Sequence, residues 1–254
     1  MNVANPLFHR TRIKICGLTR EQDVDAAVDS GADAVGFVMY RKSARYVSPQ
    51  RAAELARRLP PFVTPVLLFV NESAAVVLAA CAQVAGSIIQ FHGDETPAQC
   101  LEATAGGRHP FMRVARLSLD ETAPFDLLEF AARYPQAQAI MLDAHVEGYG
   151  GGGKAFDWSR IQVPSAAAGP SRTGAVLPHL VLSGGLNAAN VTDGIVQVRP
   201  RCKTLAVDVS SGVELDGPGH QGIKDPEKIH RFVAAVRAGD SLLAQNQHAL
   251  LSAT

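Results

Sequence analysis

Eight short apolar runs recur along the chain, each followed by a longer stretch of helical period. The runs are "IKIC", "AVGFV", "TPVLLFV", "GSIIQF", "FMRVARL", "AIMLD", "HLVLSG" and "TLAVDVS". Continuous rather than alternating apolar character marks a parallel strand covered on both faces. Between the runs lie segments such as "SPQRAAELARRLP", "TPAQCLEATAGG" and "DPEKIHRFVAAVRAG", most with a capping residue in front and Gly or Pro behind. Eight βα units in a chain of 254 residues is the requirement of a closed (β/α)8 TIM barrel, whereas a doubly wound open sheet would use fewer strands or a second domain. The expected fold is therefore α/β, one domain over residues 1–254. The barrel spans about 12–238 and short extensions flank it at both ends. The sixth connection, residues 158–177, is the least regular part, and the tail after Gly239 has no obvious place in a barrel.

One stretch points elsewhere at first sight. "EGYGGGGKAF", residues 147–156, places Gly148, Gly153 and Lys154 in the G-x-x-x-x-G-K spacing of a phosphate-cradling P-loop. That motif needs Ser or Thr next, to hold magnesium, and a helix opening directly behind it. Position 155 is alanine, and Pro164 and Pro170 interrupt the segment behind it. A glycine-rich loop over the barrel mouth fits better, since it comes directly after Asp143 at the end of the sixth apolar run.

Charge narrows the partners. Lys plus Arg and Asp plus Glu number 24 each, so no net field favours nucleic acid or an anionic membrane, and a small molecule is the expected partner. No run reaches the roughly 18 apolar residues of a membrane span, and the N-terminus lacks a long apolar h-region; the expected location is cytoplasmic. Cys16, Cys81, Cys100 and Cys202 are scattered without C-x-x-C spacing, which speaks against zinc and disulfides and for free thiols. No zinc site is expected among them.

In a barrel of this kind chemistry gathers where each strand gives way to its loop, at the C-terminal face. "SGGLN" after the seventh run and "DVSSGVE" after the eighth offer hydroxyls and backbone N–H groups at adjacent strand ends, the usual place of a phosphate site. Its positions are Gly184, Gly185, Asp208, Ser210, Ser211 and Gly212; the plainer alternative is that the glycines only permit tight turns. Cys16 ends the first run facing the mouth, either as a reactive thiol or as a small buried hydrophobe. Asp143 follows "IML" and is a candidate acid, unless it merely closes a loop by hydrogen bonding. Arg45, in "RKSARYVSP", carries a fork suited to a substrate carboxylate, or is a solvated cation. His92 and Asp94, in "FHGDE", should line the rim.

Taken in order, "IKICGLTR", "ADAVGFV", "SARYVSP", "IIQFHGDE", "LDA", "GGGGKAFDW", "LVLSGGLNAANV" and "AVDVSSGVE…GIKD" resemble the motif series of the phosphoribosylanthranilate isomerases of tryptophan biosynthesis. The likeness runs from about residue 12 to 237. It implies a cofactor-free barrel that converts N-(5-phosphoribosyl)anthranilate to 1-(2-carboxyphenylamino)-1-deoxyribulose 5-phosphate by an Amadori rearrangement. Carried over, Cys16 is the general base, Asp143 the general acid and Arg45 the contact to the anthranilate carboxylate. Lys14, His92, Gly152 and Gly153 would line the site around a phosphosugar, in a monomer or homodimer. Two departures are local: phenylalanine precedes His92 where leucine is usual, and residues 163–178 look longer than usual. The alternatives are another phosphosugar barrel, such as indole-3-glycerol-phosphate synthase, and a non-catalytic phosphate binder. The first would place catalytic Lys and Glu on several strand ends, and the second would be expected to have lost Cys16 or Asp143.

Overall fold

All eight apolar runs are strands of one closed parallel barrel. In chain order they are β1 (Arg12–Cys16), β2 (Ala34–Val38), β3 (Thr64–Phe69), β4 (Ile88–Phe91), β5 (Phe111–Ser118), β7 (Ala139–His145), β9 (His179–Leu182) and β10 (Thr204–Val209). Around the barrel the order is β1-β10-β9-β7-β5-β4-β3-β2, so each barrel strand pairs with its neighbours along the chain and the last closes on the first. The computed structural model describes residues 10–118, 125–145, 161–162, 179–199 and 202–252. Gly152, Gly153, Lys154 and the long connection at 163–178 lie outside the described residues.

The two faces of each strand explain the unbroken apolar runs. Ile13, Ile15, Val35, Phe37, Leu67, Phe69, Ile89, Phe91, Ile140 and Leu142 turn outward into a single core shared with the helices. Alternate residues turn inward, where Val66, Met112, Val114, Met141 and Val181 form a buried apolar plug. Burying each such side chain contributes about 1.5–3 kcal/mol. One step further toward the C-terminal ends the inward positions become polar, with Lys14, Gln90, Ser183 and Asp208 all buried. The barrel thus has an apolar floor and a polar mouth.

The helices are α1 (Glu21–Asp29), α2 (Pro49–Ala56), α3 (Ala74–Gln83), α4 (Pro97–Ala103), α5 (Leu127–Arg133), α6 (Val191–Val198) and α7 (Pro226–Ser252). Local chemistry sets their starts. Ser48 accepts from the Arg51 N–H ahead of Pro49, and Thr96 with Gln99 forms a reciprocal capping box ahead of Pro97. Each such cap is worth about 1 kcal/mol. A two-stranded parallel sheet that sequence reasoning does not anticipate pairs β6 (Phe125–Asp126) with β8 (Ile161–Gln162) outside the barrel.

The tail after Gly239, to which the sequence assigns no place in the barrel, continues α7 without a break to Ser252. Gly239 lies against α6, where a Cβ would sit 3.4 Å from Ile195 Cδ1. Glycine here lies inside a continuous helix and does not stop it. The next residue, Asp240, is buried and ties the far end of the chain to the start of β1. Its carboxylate accepts from the Thr11 N–H at 3.1 Å and from the Thr11 hydroxyl at 2.6 Å.

Of the cysteines, Cys81 and Cys100 sit on α3 and α4, Cys202 just before β10 at the N-terminal face, and Cys16 at the mouth; all four are free and buried. Among the described residues no helix is long and apolar enough to cross a membrane, and no group of three or more His, Cys, Asp or Glu could hold a metal ion.

Candidate active site

A cleft of about 710 Å³ opens at the C-terminal face. It is lined by Cys16, Arg45, His92, Asp143, Gly184, Gly185, Asp208, Ser210 and Ser211 among others. Strand ends therefore bring together residues from β1, β7, β9 and β10 and from the loops after β2 and β4.

On the acid side, Asp143 occupies an inward position of β7, and its Oδ2 lies 2.9 Å from His92 Nε2. Gln90, two residues before His92 on β4, places its amide nitrogen 3.0 Å from the other ring nitrogen, Nδ1. His92 thus sits between the Gln90 amide and the Asp143 carboxyl group, with one partner on each ring nitrogen. It holds one carboxyl oxygen of Asp143 and leaves Oδ1 without a bond among the described residues. The His92 loop is itself fixed from behind: Glu95 accepts from the N–H groups of Gly93 and Asn71, and Arg113 donates to the carbonyls of Phe91 and Gly93.

Opposite lies the thiol. Cys16 ends β1, and Lys14, two residues earlier on the same inward face, donates to Asp208 Oδ1 at 2.6 Å. Asp208 Oδ2 in turn accepts from the Ser183 hydroxyl. The Cys16 sulfur and the Lys14 ammonium share space over Gly36 of β2, where a Cβ would come within 2.6 Å of Sγ and 3.1 Å of Nζ. Burial would push Lys14 down, but Asp208 first and then Cys16 outweigh it and keep the ammonium above its ordinary value. Burial pushes the Cys16 thiol up, and the Lys14 cation offsets only part of this. Sequence reasoning groups Asp208 with the phosphate positions; its carboxylate acts here as the counter-charge of Lys14. Lys14 itself stands behind Cys16 rather than on the cleft wall.

The anion end is built from two loops. Gly184 and Gly185 take successive left-handed conformations, φ +81° and +67°, which only glycine adopts at low cost. Their N–H groups have no acceptor among the described residues, and the side chain of Asn190 holds the turn by donating to the Gly185 carbonyl. Ser210 and Ser211 face them from the end of β10. Gly212 does not line the cleft; it lets the two loops touch, since a Cβ there would overlap the Leu186 carbonyl oxygen.

Arg45, on the loop after β2, forms a two-pronged pair with Glu214, Nε to Oε1 at 2.6 Å and Nη2 to Oε2 at 2.8 Å. The fully buried Lys224 reaches the same Oε1 at 2.9 Å and the Ser210 carbonyl at 3.0 Å. Burial works to raise Glu214, but Arg45 and Lys224 hold its carboxyl below the usual range. Both residues stand inside "DVSSGVE" and "GIKD", yet sequence reasoning assigns them no task, because their partners lie up to 169 positions away.

A closed eight-stranded parallel barrel with a thiol, a carboxylic acid, an arginine and two anion-receptive loops around one mouth defines the class: a (β/α)8-barrel enzyme for a small anionic substrate. The profile of N-(5'-phosphoribosyl)anthranilate (PRA) isomerase matches residues 13–235, and the chain belongs to that family. It is 58% identical over 238 residues to the N-(5'-phosphoribosyl)anthranilate isomerase of Methylibium petroleiphilum, covering 94% of this chain and 99% of the relative. It is 57% identical over 232 residues to that of Leptothrix cholodnii, covering 91% and 93%. The solved phosphoribosyl anthranilate isomerase of Thermotoga maritima superposes with a TM-score of 0.72 at 39% identity, covering 90% of this chain and 99% of the other. A solved isomerase in complex with reduced 1-(o-carboxyphenylamino)-1-deoxyribulose 5-phosphate gives a TM-score of 0.67 at 36% identity, covering 90% and 99%.

Proposed function

We propose that Cys16 and Asp143 carry out the Amadori rearrangement of N-(5-phosphoribosyl)anthranilate to 1-(2-carboxyphenylamino)-1-deoxyribulose 5-phosphate, a step of tryptophan biosynthesis. The observation that carries this reading is the cleft itself. Cys16 and Asp143 line it from β1 and β7, with the two anion-receptive loops and Arg45 also on its walls.

The reaction begins with the proton on Asp143. With Oδ2 held against His92, Oδ1 is the oxygen that carries the proton to the furanose ring oxygen while the anilino nitrogen pushes open the ring. The product is a Schiff base, whose iminium draws electrons and acidifies the C2′ hydrogen. Cys16 as thiolate removes that proton and leaves an enolamine. Protonation at C1′ with loss of the O2′ proton gives the ketone, so atoms and charge balance within one substrate. Lys14 supports the thiolate from beneath. The Gly184–Gly185 turn and the Ser210–Ser211 corner receive the phosphate, and Arg45 receives the anthranilate carboxylate. Binding energy from both ends of the substrate thus orients the furanose between acid and base.

Complementation of a tryptophan auxotroph lacking this isomerase, beside a fluorescence assay following loss of the substrate, tests the reading. Growth and turnover in the parent, both abolished in Cys16→Ala, are expected. A purified chain that binds the reduced product yet neither complements nor turns over substrate would be a phosphate-ligand binder instead.

A further inference from the structure

We propose that Glu214 is the positioning residue that gives this enzyme its selectivity for a carboxylated aromatic amine: it fixes one edge of the Arg45 guanidinium so that the other edge meets the substrate carboxylate. The inference rests on the reading that Arg45 receives that carboxylate.

A guanidinium offers two edges to planar carboxylates, Nε with Nη2 and Nη1 with Nη2. Glu214 occupies the first edge with both oxygens, at 2.6 and 2.8 Å. Nη1 has no partner among the described residues, so the second edge is the one left for a ligand. The stem packs over Gly17, where a Cβ would stand 2.6 Å from Arg45 Cδ, and the Nε bond to Glu214 fixes the plane of the guanidinium.

Glu214 does not act alone. Lys224, with its side chain wholly out of solvent, donates to Glu214 Oε1 and to the Ser210 carbonyl. A single carboxylate therefore joins the arginine to the corner that receives the phosphate. It also settles the charge: two cations converge here, and one interposed anion leaves a net of one positive charge, offered at the open edge of Arg45. Without Glu214 the fork would lose its orientation, and Arg45 and Lys224 would repel one another. Both losses fall on the carboxylate contact, whereas proton transfer depends on Asp143 and Cys16, on other strands.

A merely structural brace would treat all substrates alike, so the test compares two. N-(5-phosphoribosyl)anthranilate and its counterpart without the carboxylate, made by condensing aniline with ribose 5-phosphate, are assayed with the parent, Arg45→Ala, Glu214→Gln and Glu214→Asp. Glu214→Gln is expected to raise KM for the carboxylated substrate about ten- to a hundredfold with a smaller change in kcat, and to change kcat/KM for the aniline compound only about threefold. Glu214→Asp, which keeps the charge but shortens the reach, should fall between parent and Gln. Binding of the reduced product with and without its ring carboxylate gives the same comparison without turnover, and melting temperatures show whether each variant is folded. If Glu214→Gln is not folded, Glu214→Asp decides. Equal losses on both substrates, or none on either, in a folded variant would overturn the proposal. If Arg45→Ala leaves the preference for the carboxylated substrate intact, the reading of Arg45 itself fails; if Arg45→Ala erases it while Glu214→Gln does not, only the role of Glu214 fails.

Discussion

His92 Nε2 and Asp143 Oδ2 stand 2.9 Å apart, with the Gln90 amide nitrogen 3.0 Å from the far side of the imidazole. The ring is thereby held at both nitrogens, and it fixes one oxygen of a carboxyl group that lines the cleft. A side chain held in this way presents its remaining oxygen in a set direction.

Asp143→Asn keeps the shape and the His92 contact but carries no transferable proton. Turnover is expected to fall by about a thousandfold or more, with affinity for the reduced product within about threefold of the parent. Turnover within tenfold of the parent would remove Asp143 from the acid role. His92→Ala leaves the acid in place but unsteered and should cost about ten- to a hundredfold in kcat with little change in KM.

The thiol should report its surroundings through pH. Burial raises Cys16 above its ordinary value and Lys14 opposes that rise, so both alkylation at Cys16 and the base-dependent limb of kcat should climb with pH, with a midpoint above that of a free cysteine, about 8.5. Removing the cation in Lys14→Met takes away the opposing influence and should move the midpoint higher still. A lower midpoint in that variant would contradict the placement. The reduced product should protect Cys16 from alkylation while leaving Cys202, at the other end of the barrel, reacting at its former rate. Gly36→Ala tests the same contact by shape, since its methyl group must displace either Sγ or Nζ; kcat should drop while the barrel stays folded.

Ser211→Asp would set a fixed negative charge where the phosphate dianion is expected. Like charges at close quarters cost several kcal/mol, so KM should rise by about a hundredfold or more, with inhibition by inorganic phosphate weakened in parallel. An unchanged KM would place the phosphate elsewhere.

Asp240→Ala removes the acceptor for the Thr11 N–H and hydroxyl in a buried position. Leaving such donors unpaired costs about 1–3 kcal/mol each, so the melting temperature should fall by several degrees. Ending the chain after Gly239 should cost at least as much. Both changes lie remote from the mouth, and kcat well below the melting transition should stay near the parent value.

Sequence alone disclosed the architecture well because each barrel strand is buried on both faces, leaving an apolar run with few polar interruptions. It singled out Cys16 and Asp143 as candidates at the mouth, because a reactive side chain at the end of such a run stands out from what precedes it, and both line the cleft. Glu214 and Lys224 carry no such signature: an acid and a lysine in polar loops look solvated until the barrel closes and brings Arg45 against them. Gly239 misled for a different reason: glycine commonly follows the last turn of a helix, yet α7 runs straight through this one. The β6–β8 pair escaped because two residues per strand are too few to show a period.

The bond between Thr11 and Asp240 has a consequence for how the chain is made. β1 is followed in the chain by β2, one of its two barrel neighbours, but the other, β10, and the carboxylate that secures its start are made much later, with 229 positions separating the bonded residues. A growing chain that has made β1 through β9 can hold them only as a curved open sheet with an unpaired edge on each side until β10 follows. Barrel closure therefore waits for β10. An internal relocation of the termini that kept residues 11 and 240 on one uninterrupted segment would let that seam form early in synthesis.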